Sequence, residues 1–149
     1  MSTPGEYRAL VTGPRDYTDE QTVHHWLWHV LVLARDAGSG LVIVHGHCPT
    51  GVDHMADEWG SLKRAAGNPV RVERHPAQRH PTQDFGPWPG AGPRRNEYMA
   101  SLGAHICLAF LKPCVREGCP RGRAHDTHGT ANCVRQARAY GIEVKEIRV

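Results

Sequence analysis

Apolar residues along the chain follow two alternating patterns, short continuous runs and longer stretches with helical spacing. The runs include 41–45 (LVIVH) and 105–111 (HICLAFL), which are typical of strands covered on both faces. Between such runs, apolar positions recur every three or four residues, as in 23–34 and 55–62. We therefore expect an α/β fold, a Rossmann-like three-layer domain whose mostly parallel sheet has about five strands and carries helices on both faces.

The same pattern gives bounds for the predicted elements. Residues Thr18 and Gln21, and again Thr50 and Asp53, have the spacing of a capping box at a helix start. Two irregular segments, 75–92 and 112–128, are long enough to suggest a functional role. Strands are predicted at 7–12, 41–45, 70–74, 105–111 and 143–149, and helices at 18–37, 50–66, 94–102 and 130–140.

Length, composition and charge narrow the class of protein. The 149 residues fit one domain, 1–149, and 40% hydrophobic with 22% charged residues excludes a disordered or fibrous chain. The 18 Lys and Arg residues are scattered among 15 acidic residues, unlike those of a protein that coats nucleic acid. No apolar run approaches the roughly 18 residues of a membrane span, and residues 1–10 lack the pattern of a signal peptide. We expect a cytoplasmic protein without membrane contact.

Glycines combined with polar side chains follow three predicted strands. They occur at 12–16 (TGPRD), at 45–53 (HGHCPTGVD) and at 128–130 (HGT). Ligands of open parallel sheets bind at the carboxyl ends of the strands, where backbone N–H groups and helix N-termini converge. With Arg15, these groups would hold phosphate oxygens. The alternative is that the glycines serve turns and that Thr50 and Asp53 only cap a helix.

Residues Arg94, Arg95 and Asn96 are predicted to open a helix, where the positive end of the helix dipole disfavours cations. A bound anion would remove that penalty. The alternative is that the arginines extend into solvent. In the preceding segment, Trp88 offers a ring that would stack on a base.

Four potential metal ligands fall within fifteen residues of the second irregular segment. A structural zinc would take all four in tetrahedral geometry, and a free-thiol loop or an incidental His-rich segment are the alternatives. The five cysteines and the absence of an export signal argue against a disulfide framework. No organic cofactor is expected. The zinc ligands would be Cys114, Cys119, His125 and His128.

Four segments, VTGPRD, VHGHCPTGVD, GPRRNEYM and HGT, resemble the YspA-like branch of the SLOG superfamily, which is frequent in phages and actinobacteria. The resemblance covers nearly the whole chain and implies a Rossmann-like sheet with a ligand at its edge. Arg94 is also a candidate ligand-binding residue, but only because of the electrostatic argument given above and not because of the resemblance. The positions implied by the resemblance are Thr12, Gly13, Arg15, Gly46, Gly51, Asp53, Arg95, Asn96, Gly129 and Thr130.

The same superfamily contains the lonely-guy phosphoribohydrolases, whose signature this chain matches in part. Arg95 and Asn96 with Met99 look like the Arg-Lys pair and its Met, and 129–130 looks like the Gly-Thr pair. Asparagine replaces the lysine, the Cys/His segment replaces Pro-Gly-Gly, and Cys133 stands where that family has its catalytic glutamate. The catalytic residues are therefore unknown, with Arg95 and Asp53 as candidates.

Three functions are consistent with these residues. The three glycine-bearing turns with Arg15 form the predicted phosphate cradle, and the catalytic glutamate of the phosphoribohydrolases is absent. The first function is therefore sensing, carrying or sequestering of a nucleotide or nucleotide-derived ligand. The alternative is a phosphoribohydrolase-type N-glycosidase acting on nucleoside monophosphates. The third is a DprA-like module that binds single-stranded DNA, suggested by the mild positive charge and the arginines at 94, 121 and 123. Relatives pair through their helices, so a homodimer or higher homo-oligomer is expected, in the host cytoplasm if a phage encodes the protein.

Overall fold

Strands and helices alternate along the whole of the described chain. The computed structural model describes residues 5–113 and 128–148. In chain order the elements are β1 (Glu6–Thr12), α1 (Glu20–Asp36), β2 (Gly40–His45), α2 (Gly51–Ala65), β3 (Val70–Arg74), α3 (Ala91–Ser101), β4 (Ile106–Leu111), α4 (His128–Ala139) and β5 (Val144–Arg148).

The five strands form one parallel sheet in the order β3-β2-β1-β4-β5. Ala9 in the central strand pairs with Ile43 on one side and Ile106 on the other. The chain moves outward through β2 and β3, and then returns to add β4 on the other side of β1. Strand order therefore reverses beside β1, so the carboxyl ends of β1 and β4 are the position where open parallel sheets bind ligands.

Helices cover both faces of the sheet, because alternate strand residues point to opposite sides. Ala9 and Val11 of β1 join a core with apolar residues of α1 and α2, whereas Leu10 joins a second core with residues of α3 and α4. The predicted Rossmann-like α/β fold is confirmed. None of the helices within 5–113 and 128–148 is long and apolar enough to span a membrane.

The first two helices are capped differently from the sequence prediction. Asp19, not Thr18, caps α1, and its carboxylate accepts the N–H of Thr22 at 3.2 Å. Thr50 is the N-cap of α2, but its side chain makes no capping hydrogen bond. The capping box predicted for α2 is therefore absent, which leaves the Asp53 side chain for other contacts.

The third and fourth helices begin earlier than the pattern predicts. α3 begins at Ala91, three residues before Arg94, and contains Pro93 in its first turn. Proline is accepted there because the first N–H groups of a helix have no partner within it. α4 begins at His128, two residues before Thr130. Arg94 and Arg95 consequently lie in the second turn of α3, where the helix dipole acts on them less strongly.

Candidate functional site

Buried polar side chains concentrate at the carboxyl edge of the sheet. Burial of a polar group costs free energy unless hydrogen bonds compensate it, so such a concentration needs a reason. Seven polar or charged residues are buried in the described parts of the chain, and only Arg8 lies away from this edge. The other six are Thr12, His45, Asp53, His75, Asn96 and Thr130.

The turn after β1 packs directly against the start of α2. Gly51 has φ +71°, and a Cβ atom there would overlap the carbonyl oxygen of Pro14 and the backbone of Arg15. A Cβ at Gly13 would overlap the side chain of Val52. The N–H of Val52 donates to the Pro14 carbonyl at 3.3 Å. These glycines bring two backbone segments into contact at the edge of the sheet.

Asp53 organises the turn that follows β2. Its carboxylate accepts the N–H of Cys48 at 3.2 Å and also that of Gly46. Burial raises the pKa of Asp53, while the nearby His45 and Arg95 act in the opposite direction. The side chain therefore lies at the predicted site and holds the loop backbone in place.

Arg95 joins three elements at the same edge. Its Nη1 donates to the carbonyl oxygens of Gly46 at 2.6 Å and His75 at 3.1 Å, and its Nε donates to Oδ1 of Asn96 at 2.9 Å. A Cβ on Gly46 would lie 2.6 Å from Nη1. Burial lowers the pKa of Arg95, and the charge of Asp53 opposes this effect. The guanidinium thus fastens the ends of β2 and β3 to α3.

Asn96 and Thr12 connect the start of α4 to this arrangement. The amide of Asn96 donates to the Gly129 carbonyl at 3.4 Å and to Oδ1 of Asn132 at 3.0 Å. The Thr12 hydroxyl hydrogen-bonds the thiol of Cys133. That thiol also contacts Cys107, which lowers the pKa of Cys133. The start of α4, with Gly129 and the buried Thr130, therefore adjoins the carboxyl end of β1 and the middle of α3.

The two other predicted arginines take different positions. Arg15 is exposed in the turn after β1, with its guanidinium carbon 5.4 Å from the centroid of the Trp88 ring. Arg94 is also exposed, but its Nε donates to the Phe85 carbonyl at 2.6 Å and its guanidinium lies against Gly86 and Gly90. Arg15 therefore lies between the start of α2 and Trp88, and Arg94 holds the segment that precedes α3.

Sequence reasoning missed His45, which is fully buried at the end of β2. Its Nδ1 accepts the N–H of His47 at 2.9 Å, so Nε2 carries the proton and donates to Asp57 at 2.8 Å. Arg74 completes this network with a 2.6 Å bond from Nε to Asp57. Burial lowers the pKa of His45, which favours the neutral ring. The sequence signal that could have indicated a buried histidine is its position at the end of the apolar run 41–45.

The predicted zinc ligands fall mostly outside the described residues. Cys114, Cys119 and His125 lie in 114–127, and His128 is the first residue of α4. Within 5–113 and 128–148, no group of three or more His, Cys, Asp or Glu side chains could hold a metal ion.

An open cleft of about 440 Å³ lies at the opposite, amino edge of the sheet, beside Gly40 and Pro69. Of its charged residues, Glu6 and Arg71 are paired with each other at 2.8 Å, and Arg64 also lines it. Because buried polar residues converge at the other edge, we place the candidate site there and not in this cleft.

Together these features define a Rossmann-like domain with a polar site at the switch point of a parallel sheet. A model of the YspA, cpYpsA-related SLOG family matches residues 7–80. The chain is also similar to the Gene 61 protein of Mycobacterium phage D29, at 38% identity over 141 residues, covering 92% of this chain and 93% of that protein. The chain belongs to the YspA, cpYpsA-related SLOG family, as the motifs indicated.

Proposed function

We propose that this chain binds a nucleotide or a nucleotide-derived ligand at the carboxyl edge of its sheet, as a sensing, carrying or sequestering module of the cytoplasm. The observation that carries the proposal is the convergence of six buried polar side chains on the edge where strand order reverses. Membership of a SLOG family supports a ligand related to nucleotides.

The geometry suggests how the phosphate would be held. The turn after β1 lies against the start of α2, and Asn96 ties the start of α4 to α3. Two helix N-termini at this edge of the sheet supply backbone N–H groups and favourable dipoles for an anion. Arg15 is exposed beside them and would add a charge-assisted hydrogen bond.

The contacts of the two candidate catalytic residues favour binding over hydrolysis. Asp53 accepts N–H groups from the β2 turn, and Arg95 donates to two main-chain carbonyls. Both side chains are thus engaged in shaping the site. Three of the described basic residues, Arg71, Arg74 and Lys112, are each paired with a carboxylate, which reduces the positive charge that they would offer to DNA.

Calorimetric titration with AMP, CMP and ADP-ribose tests the proposal. We expect at least one of them to bind, and we expect Arg15→Gln to weaken that binding about tenfold or more, since a hydrogen bond to a charged group contributes about 1.5–3 kcal/mol. Arg64→Gln is the matched control, because Arg64 is an exposed arginine at the far end of α2. Failure of all three compounds to bind would overturn the proposal.

The same samples decide between binding and N-glycosidase activity. Incubation of the protein at high concentration with AMP, CMP and NAD, followed by chromatography, should show the compounds unchanged. Release of free base, abolished by Asp53→Asn, would instead assign the phosphoribohydrolase reaction to this site.

We also propose that the segment 112–128 holds a structural zinc ion. The support is the donor set of Cys114, Cys119, His125 and His128, whose two thiolates and two imidazoles suit tetrahedral zinc. We expect about one zinc per chain after purification without chelator. Cys114→Ser should lower both the metal content and the melting temperature, whereas Cys48→Ser should leave the metal content unchanged. A metal-free protein would contradict the proposal.

A further inference from the structure

Trp88 is a large aromatic residue that remains 52% exposed at the border of the candidate site. Its ring lies 5.4 Å from the guanidinium carbon of Arg15. We propose that Trp88 is the platform on which the base of the ligand stacks. The site would then select compounds that contain a nucleoside over simple sugar phosphates. This inference rests on the proposed function, because it assigns the second half of the same ligand.

The segment that carries Trp88 is held firmly, although the ring itself is exposed. Arg94 donates from Nε to the Phe85 carbonyl at 2.6 Å, and the N–H of Ala91 donates to the Pro87 carbonyl at 3.2 Å. Phe85 is buried, with its ring centroid 5.7 Å from that of Tyr98. An exposed aromatic ring on a fixed backbone binds a partner at little cost in conformational entropy.

Gly92 adds to this fixation. A Cβ atom at Gly92 would lie 3.4 Å from the Trp88 ring, so α3 itself supports part of the indole. The ring therefore has support from the helix and from Arg15, while the residue as a whole remains 52% exposed. Base stacking uses the face of an aromatic ring and tolerates any base.

Arg15 places the aromatic ring at a suitable position relative to the phosphate cradle. Its backbone touches Gly51 at the start of α2, and its side chain extends to Trp88. One residue thus connects the electropositive end of a helix with an exposed ring. A nucleotide has the complementary arrangement, since its sugar separates an anionic phosphate from a flat base.

Exposure alone does not distinguish Trp88 from other aromatic residues. Trp28 is 45% exposed, but it lies in the middle of α1, where its ring contacts Trp59 and Lys63, neither of which belongs to the predicted site. Tyr140 is 49% exposed just after α4, near the amino edge of the sheet. Trp88 differs from both because it contacts a residue of the predicted site.

The experiment separates the two halves of a nucleotide by titrating the full chain with AMP, CMP, adenosine and ribose 5-phosphate. We expect AMP to bind at least tenfold more tightly than ribose 5-phosphate. Trp88→Ala should weaken AMP binding by about tenfold, in the range that stacking on an aromatic side chain provides, and should leave ribose 5-phosphate binding unchanged. Trp88→Phe should retain most of the affinity, and Trp28→Ala should retain all of it. Melting curves of each variant verify that it is folded.

The outcomes distinguish this inference from the proposed function. If AMP and ribose 5-phosphate bind equally well, and Trp88→Ala changes neither, the stacking role is overturned while phosphate binding stands. Should adenosine bind and ribose 5-phosphate fail to bind, with adenosine lost in Trp88→Ala, the stacking role holds and the phosphate cradle is wrong. Absence of binding by all four compounds overturns both.

Discussion

At the scale of single residues, Gly51 meets two separate requirements. Its φ of +71° lies in the left-handed region, and the Pro14 carbonyl leaves no room for a Cβ atom. We predict that Gly51→Ala lowers the free energy of unfolding by about 2–4 kcal/mol, since the left-handed conformation costs about 1–2 kcal/mol and the overlap adds to it. Urea unfolding monitored by tryptophan fluorescence measures this loss.

Gly38 provides the matched control for that substitution. It has the same φ of +71°, but a Cβ atom there would meet nothing within 4 Å. Gly38→Ala should therefore cost only about 1–2 kcal/mol. If the two variants lose the same free energy of unfolding, the close contact between the β1 turn and α2 does not contribute to the cost of Gly51→Ala.

The sequence predicted which residues belong to the site better than it predicted what each residue does there. The motifs selected Asp53 and Arg95, which the structure places close together. Asp53 accepts N–H groups of the turn just before it, whereas Arg95 donates to the main-chain carbonyls of Gly46 and His75, which are distant in the sequence. The Arg95 contacts depend on the packing of separate elements, so no local spacing reveals them. His45 was missed for the same reason, because its partner Asp57 and the next residue in the network, Arg74, come from α2 and β3.

At the scale of elements, apolar periodicity predicted which segments are strands and helices, because each element must bury one face or both. The helix starts were less predictable. Pro93 reads as a helix breaker, yet it occupies the first turn of α3, and Asp19 caps α1 one residue after the expected Thr18. Neighbouring residues that can both cap a helix compete, and aspartate is the stronger N-cap residue of the two.

The segment between β3 and α3 is held by a chain of two hydrogen-bonded histidines, His75 and His80. Nδ1 of His80 accepts the N–H groups of Thr82 and Gln83, each at 3.1 Å, so Nε2 carries the proton and donates to His75 at 2.8 Å. His75 in turn donates to Glu73 at 2.8 Å. A second proton on His80 would face two N–H groups, so this arrangement requires the neutral ring.

These hydrogen-bonded histidines predict that the folded protein loses stability at mildly acidic pH. Burial, and then the neighbouring His75, lower the pKa of His80 in the folded state, and burial lowers that of His45. The unfolded chain therefore binds more protons below about pH 6.5, so both residues stabilise the fold fully above that pH and less as the pH falls through it. We expect the melting temperature to decrease from pH 8 to pH 5.5.

His80→Asn tests the contribution of this residue, because the asparagine oxygen can still accept the two N–H groups. The decrease between the two pH values should be smaller in this variant than in the original chain. His54→Asn, which changes an exposed histidine of α2, should leave the decrease unaltered. An unchanged pH dependence in His80→Asn would disprove the role of the histidine chain.

At the scale of the whole molecule, the two helical faces of the sheet differ in exposed apolar surface. On the α1–α2 face, Trp28, Val32 and Leu62 are 45%, 47% and 63% exposed. Trp28 and Val32 are one turn apart, and Trp59, one turn before Leu62, lies 5.9 Å from Trp28 by ring centroids. These side chains form an apolar stripe along the two helices, which is a feature of surfaces that bind other proteins.

We expect two copies of the chain to pair through this stripe, because a twofold contact would cover both stripes at once. Leu62→Glu should convert the dimer to a monomer, since pairing would then bury two uncompensated carboxylates. Tyr140→Glu introduces the same charge at a residue of similar exposure, 49%, outside the stripe, and should leave the dimer intact. Light scattering after size-exclusion chromatography gives the mass of each variant. A monomeric original chain, or a dimer that persists in Leu62→Glu, would exclude pairing through α1 and α2.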